Sequence, residues 1–190
     1  MIRIGILGDI GSGKSYVARC FGYPVFNADN EVSKIYKKDR KIFNKLKKIL
    51  PRYFTKFPIK KNEVSNAILA NEKNLKKIVN IIHKQVKKKM SIFLKKNKKK
   101  KIIILDIPLL LENKINEKKD ILVFVKSKKT EILRRLKKRE NFNQKLFFKF
   151  KSIQLPLDYK MRKSQFVIKN DFKNRTVKKY VNNILKDVLK

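Results

Sequence analysis

Gly8-Asp9-Ile10-Gly11-Ser12-Gly13-Lys14-Ser15 matches G-x-x-x-x-G-K-[ST], the spacing of a phosphate-binding P-loop. The apolar run Ile2–Leu7 precedes it, and a helix-like stretch, Tyr16-Val17-Ala18-Arg19-Cys20-Phe21, follows. Strand, loop and helix in that order are the context in which the pattern carries meaning. Glycines let the backbone turn tightly enough for consecutive N–H groups to point into one concavity. A helix starting near Gly13 adds the positive end of its dipole. Lys14 then reaches the β- and γ-phosphates of ATP, and Ser15 ligates Mg²⁺. Gly11, Ser12, Gly13, Lys14, Ser15 and the adjoining Tyr16 are the expected nucleotide contacts.

Working outward from the loop, the chain alternates strands and helices. Ile2–Leu7, Ile102–Leu105 and Ile121–Val125 read as buried parallel strands, and Pro24–Phe26 and Phe166–Ile168 as two shorter ones. Between them, apolar residues recur at three and four positions. One series runs from Leu75 to Leu94, a second from Val177 to Leu189, and a weaker one from Ile35 to Leu50. This pattern predicts an α/β, three-layer P-loop fold: a five-stranded parallel sheet covered by helices on both faces. The expected organisation is a single domain over 1–190. A basic helical insertion over 30–97 would hold a substrate, and a lid would come from 134–163.

Composition bounds the rest. The 190 residues include one cysteine, Cys20, which excludes a disulfide framework and a cysteine metal site. Cys20 itself reads as a small buried apolar residue. No run of 18 apolar residues is present, and no signal-peptide pattern opens the chain, so a cytoplasmic protein without a membrane partner is expected. The net charge of +37 raises the question of nucleic acid. Yet 43 of the 52 cations are lysine, spread along the whole chain, whereas bidentate phosphate and base recognition favours clustered arginine. Compositional drift toward Lys, Ile, Asn and Phe is the reading preferred here, with salt-sensitive, nonspecific polyanion binding as its only consequence. Lys98-Lys99-Lys100-Lys101 reads as a solvated connector. No obligate protein partner is evident.

Phosphoryl transfer needs a group to orient the acceptor hydroxyl, a metal anchor, and cations over the migrating phosphoryl group. Candidates stand at strand ends, where open α/β sheets bind ligands. Asp29 follows the second strand and would orient or deprotonate the acceptor; the competing reading is a cap on a helix starting at Glu31. Asp106 follows the third strand as a Walker B acid would, holding Mg²⁺ through water or contacting Lys14 and Ser15; the competing reading is again a helix cap. Pro108 stops that strand and stiffens the turn. Arg135 and Arg139 lie four apart in the densest arginine cluster, so one helix face in a lid would present both to phosphate oxygens. The one histidine, His83, sits on an amphipathic helix and has either a structural role or a substrate role.

Together these pieces resemble the dephospho-coenzyme A kinase family nearly from end to end. The family's G-[GS]-I-G-S-G-K-S appears at Gly8–Ser15, its D-A-D at Asn27-Ala28-Asp29, and its I-H-P-x-V at Ile82-His83-Lys84-Gln85-Val86. D-[IV]-P-L-L-x-E is intact at Asp106–Glu112. R-x-x-x-R falls on Arg135 and Arg139, and the tail Q-x-P-x-x-x-K…V-I-x-N on Gln154, Pro156, Lys160 and Val167–Asn170. The resemblance implies transfer of a phosphoryl group from ATP to the ribose 3′-hydroxyl of dephospho-coenzyme A, the last step of coenzyme A synthesis. By position it implies Asp29 as the base and Lys14 and Arg139 as catalytic cations. It also implies that His83, Asp106 and Pro108 help form the substrate site, and that Asn170 lies near the adenine.

Four departures from the pattern stand out. Asn27 replaces an acid, Lys84 replaces a proline, Ser164-Gln165 replaces A-D, and Asp9 puts a negative charge inside the phosphate loop. Two other functions share parts of the pattern. A nucleoside or nucleotide kinase would have the same core with a different substrate domain. A basic nucleic-acid-binding P-loop protein would show arginines and aromatics gathered on one face.

Overall fold

A computed structural model describes residues 1–140 and 142–190. Among these, five strands form one sheet: β1 (Ile2–Gly8), β2 (Val25–Asn27), β3 (Ile102–Asp106), β4 (Ile121–Lys126) and β5 (Phe166–Lys169). Their order is β2-β3-β1-β4-β5 and every pairing is parallel, as the apolar runs predict. The helices are α1 (Lys14–Cys20), α2 (Ala28–Lys38), α3 (Arg40–Ile49), α4 (Lys61–Ala70), α5 (Glu72–Lys96), α6 (Lys129–Lys137), α7 (Gln144–Ser152), α8 (Leu157–Arg162) and α9 (Asn174–Val188). The chain divides into two compact units, Met1–Asn27 with Asn97–Lys190, and Ala28–Lys96. No described helix is long and apolar enough to cross a membrane.

In the first unit, strand alternation sends Ile4, Ile6, Ile102, Ile104, Val123 and Val125 to one face of the sheet. There they meet Val17, Ala18 and Phe21 of α1 and Val177, Val181 and Ile184 of α9. Burying one such aliphatic side chain contributes about 1.5–3 kcal/mol. On the other face, Gly5 is small because Leu110 packs on it. A Cβ at Gly5 would stand 2.6 Å from Leu110 Cδ2 and 3.0 Å from Leu122 Cδ2. The helix α8 also packs on this side of the unit, against β1.

In the second unit, the apolar series from Ile35 to Leu50 does not form one helix. It breaks at Asp39, whose Oδ1 accepts from the Ile42 N–H at 3.1 Å and caps α3. A carboxylate that satisfies an orphan helix donor makes a new start more stable than a continued helix. Asp39 Oδ2 also accepts from Gln85 Nε2 at 2.9 Å, tying α3 to α5. The helix α5 buries Leu75, Ile78, Ile82 and Val86 and runs through Lys84 without a break. Proline at 84 would have removed a backbone donor there. Lys98–Lys101 is an exposed connector between α5 and β3.

Candidate active site at the loop after β1

The loop connects the central strand to α1, and three of its glycines have positive φ. Gly13 shows why the position tolerates nothing larger. Its φ is 92°, and a Cβ would lie 2.4 Å from Asn170 Nδ2. The loop is closed by Ser12 N–H donating to the Asp9 carbonyl at 3.2 Å, and α1 is opened by Tyr16 and Val17 N–H donating to the Gly13 carbonyl. Neighbouring strands then brace it. Asn170, just past β5, donates from Nδ2 to the Ser12 carbonyl at 2.8 Å, and Ser127, just past β4, donates from Oγ to the same oxygen at 3.0 Å. Ser12 is fully buried, and its Oγ has no hydrogen-bond partner. Its side chain is therefore turned into the protein, and what it offers a ligand is backbone. Lys14 Nζ donates to the carbonyls of Asp9 (2.8 Å) and Gly8 (3.3 Å), which holds the ammonium over the loop.

Ser15 is half-buried at the start of α1. Tyr16 packs its ring against the core, where desolvation first, and a hydrogen bond with Cys20 second, push its hydroxyl pKa upward. Its surroundings are those of a packing residue of α1. Cys20, expected to be buried, is only half-buried, at the edge of the same core.

Asp106 ends β3, nearly inaccessible, directly opposite Asn27 of β2. Asn27 Nδ2 donates to Asp106 Oδ2. The asparagine that departs from the D-A-D pattern thus orients the Asp106 carboxylate, where a second carboxylate would repel it. The helix-cap reading of Asp106 is corrected: it belongs to a strand, and turns follow it. Pro108 opens that turn, half-buried, and Leu109 takes a left-handed φ of 59°. An aliphatic residue adopts that conformation only when its surroundings impose it.

The end of the same motif has a partner that its sequence did not disclose. Glu112 Oε1 pairs with Lys160 Nζ at 2.5 Å and accepts from the Leu155 N–H at 3.0 Å. Lys160 is 2% exposed. D-I-P-L-L-x-E and Q-x-P-x-x-x-K are therefore two halves of one buried bracket beside the sheet.

The shared arginine face is also corrected. The helix α6 ends at Lys137, and Arg139 lies beyond it, its N–H closing a tighter turn on the Leu136 carbonyl at 3.1 Å. Helical spacing no longer relates the two residues. Arg135 instead stacks over Phe172, with its guanidinium carbon 4.4 Å from the ring centroid. Phe172 N–H donates to Asn170 Oδ1 at 2.9 Å, so both ends of the Asn170 amide are engaged within the protein.

Asp29 and His83 belong to the other unit. Asp29 is the exposed second residue of α2, which starts at Ala28 and not at Glu31. The capping reading is corrected accordingly: Asp29 is a first-turn acid favoured by the helix dipole. His83 is half-buried on α5, where desolvation first and the charge of Lys87 second hold its pKa below the usual 6.5. It is therefore neutral at pH 7.

No described group of three or more His, Cys, Asp and Glu side chains could hold a metal ion. Ser15 and Asp106 offer one hydroxyl and one carboxylate. That oxygen-only set fits Mg²⁺, which keeps several waters and arrives with nucleotide phosphates, and does not fit a resident caged ion.

A parallel sheet of this order, with a lysine-bearing glycine loop at the end of its central strand, defines a P-loop nucleotide-binding protein. Solved structures share the fold: a Thermus thermophilus protein covers 100% of this chain at TM-score 0.80 and 22% identity, with 98% of its own length covered. A dephospho-CoA kinase from Campylobacter jejuni covers 98% at TM-score 0.63 and 19% identity, with 96% of its length covered. The dephospho-CoA kinase family model matches residues 2–176. A dephospho-CoA kinase of Wolbachia pipientis wMel is 34% identical over 191 residues, covering 98% of this chain and 95% of that protein. The chain belongs to the dephospho-CoA kinase family, and it is an ATP-using kinase.

Proposed function

We propose that this chain phosphorylates the ribose 3′-hydroxyl of dephospho-coenzyme A with ATP, completing coenzyme A in the cytoplasm. The observation that carries the reading is the match of residues 2–176 to one kinase family, with the phosphate loop, Asp106 and their bracing residues at the carboxyl ends of neighbouring parallel strands. Gly11, Gly13 and the backbone of Ser12 receive the phosphates, with Asn170 and Ser127 holding the loop's shape. Lys14 leaves its carbonyl partners for the β- and γ-phosphates and stabilises the charge that builds on transfer. Ser15, and Asp106 through water, would hold Mg²⁺, which neutralises phosphate charge when bound.

Asp29, two residues beyond Asn27, accepts a hydrogen bond from the acceptor hydroxyl and takes its proton. The hydroxyl oxygen forms the new bond to the γ-phosphorus as the bond from that phosphorus to the bridging oxygen breaks, and ADP leaves. Arg139 contributes cationic charge over the phosphates. His83, neutral at pH 7, offers one donor and one acceptor to the substrate, and Pro108 shapes the turn that carries Asp106. The +37 charge has no sequence-specific nucleic-acid partner in this reading, so duplex binding should fall steeply with salt.

The test is incubation with ATP, Mg²⁺ and a panel of acceptors, with ³¹P NMR of the product. Phosphate on the ribose 3′-oxygen of dephospho-coenzyme A is the expected result. Faster reaction with shikimate, adenosine or nucleoside monophosphates overturns it.

A further inference from the structure

Asp9 is the residue the nucleotide reading leaves unexplained. It places an acid inside the phosphate loop, adjacent to Gly8, where the family pattern has glycine or serine. A carboxylate there opposes a triphosphate, because like charges a few ångströms apart repel strongly in a partly dry site. Its side chain does not escape into solvent: it is 11% exposed. One carboxylate oxygen accepts from the Ile10 N–H at 2.7 Å, and the other pairs with Lys151 Nζ at 2.5 Å. The Asp9 main-chain carbonyl is also an acceptor for Lys14 Nζ. The acid is therefore locked into the loop, next to the lysine that serves the nucleotide.

Lys151 comes from α7, which buries none of its residues. The Lys151–Asp9 ion pair ties this helix to the loop. Both residues line a cavity of about 590 Å³ with Lys129, Phe147, Gln154 and Asp158, so the charges facing the pair include one further cation and one further acid.

We infer that Lys151 is a positioning residue for the nucleotide: it cancels the Asp9 charge, and so allows this chain to bind a triphosphate on a loop that carries an acid. Lys151 acts through Asp9. Its importance exists only while an acid stands at position 9, and this separates charge compensation from a general role in holding α7. The inference rests on the reading of the loop as the ATP site.

The experiment measures ATP dissociation constants by titration, and kcat and KM for ATP in turnover, for the parent, K151M, K151R, D9N and the D9N/K151M double variant. Expected for K151M is an ATP dissociation constant raised about tenfold, equivalent to about 1.4 kcal/mol, with kcat falling much less than KM rises. K151R should retain parental affinity, because guanidinium also pairs with carboxylate. D9N should bind ATP at least as tightly as the parent. D9N/K151M should return to within about threefold of parental affinity, since additivity fails for residues that act on each other. Parental affinity in K151M overturns the inference, as does a double variant no better than K151M alone. A parent that binds no ATP overturns the nucleotide reading itself, and the inference with it.

Discussion

Asn170 Nδ2 and the Ser12 carbonyl, 158 positions apart in sequence, are joined by a 2.8 Å hydrogen bond that clips the phosphate loop to the end of β5. The same amide leaves no room for a side chain at Gly13, and its oxygen holds the backbone of Phe172. Asn170→Ala should therefore loosen the loop and weaken ATP binding while leaving the transfer step itself largely intact. Loss of one buried hydrogen bond is worth about 1 kcal/mol, so a rise in KM for ATP of about fivefold is expected. Steady-state kinetics check this; a variant that loses kcat with KM unchanged would assign Asn170 to the chemistry.

Lys14→Ala should lower kcat at least tenfold, or about 1.4 kcal/mol of barrier, with circular dichroism unchanged. Lys14 is half-buried and donates to the loop carbonyls of Gly8 and Asp9, so circular dichroism alongside kinetics separates lost chemistry from a disturbed loop. Parental turnover would remove the P-loop mechanism.

Asp29→Asn separates chemistry from helix stability more sharply than the sequence suggested. Asp29 is an exposed first-turn acid, where the helix-dipole interaction is worth about 0.3–1 kcal/mol, and a thermal melt registers what the substitution costs in stability. General-base assistance contributes about 100-fold to 10,000-fold, and a loose phosphoryl-transfer transition state favours the low end. Single-turnover rates should thus fall about 100-fold with ATP affinity preserved. An unchanged rate retires the catalytic role.

Glu112→Ala should be among the most destabilising single changes in the chain. It leaves Lys160 buried without its carboxylate, a cost of about 3–5 kcal/mol. Replacing both partners by apolar residues, E112L with K160M, should recover most of that loss. Denaturant midpoints decide between this bracket and an incidental contact.

His83 gives a pH signature with a definite sign. Its pKa is lowered in the folded protein, so above pH 6.5 both states are neutral and nothing is lost. As pH falls below 6.5 the unfolded chain takes up the proton first, and stability declines until the folded histidine also titrates. His83→Gln should flatten the part of the stability curve just below pH 6.5. An unaltered slope would mean that other groups produce it.

The pieces legible in the sequence are those whose signal is local. Ile102–Leu105 and Ile121–Val125 are unbroken apolar runs, and Ile2–Leu7 is interrupted only at Arg3, so strands buried on both sheet faces are marked without knowledge of the fold. The P-loop is legible for the same reason: its glycines, lysine and serine serve one ligand within eight consecutive residues. Chain-local spacing misled chiefly at element ends, as it did for Asp29 and Asp106. Asp39 broke a series that otherwise reads as one helix, and the end of α6 at Lys137 separated Arg135 from Arg139.

The sequence by itself determined the parallel α/β core, the phosphate loop and the family. Tertiary structure alone decided which groups hold that loop and what its unusual acid costs. Asn170 and Ser127 reach Ser12 only because β5 and β4 lie on the same side of β1, and Lys160 meets Glu112 only because α8 packs on the sheet. Asp9 read alone is a misplaced negative charge; Lys151, 142 positions away, turns it into an ion pair. Hydrogen bonds and ion pairs act over about 3 Å, and sequence distance carries no information about which groups come that close until the sheet order has been set.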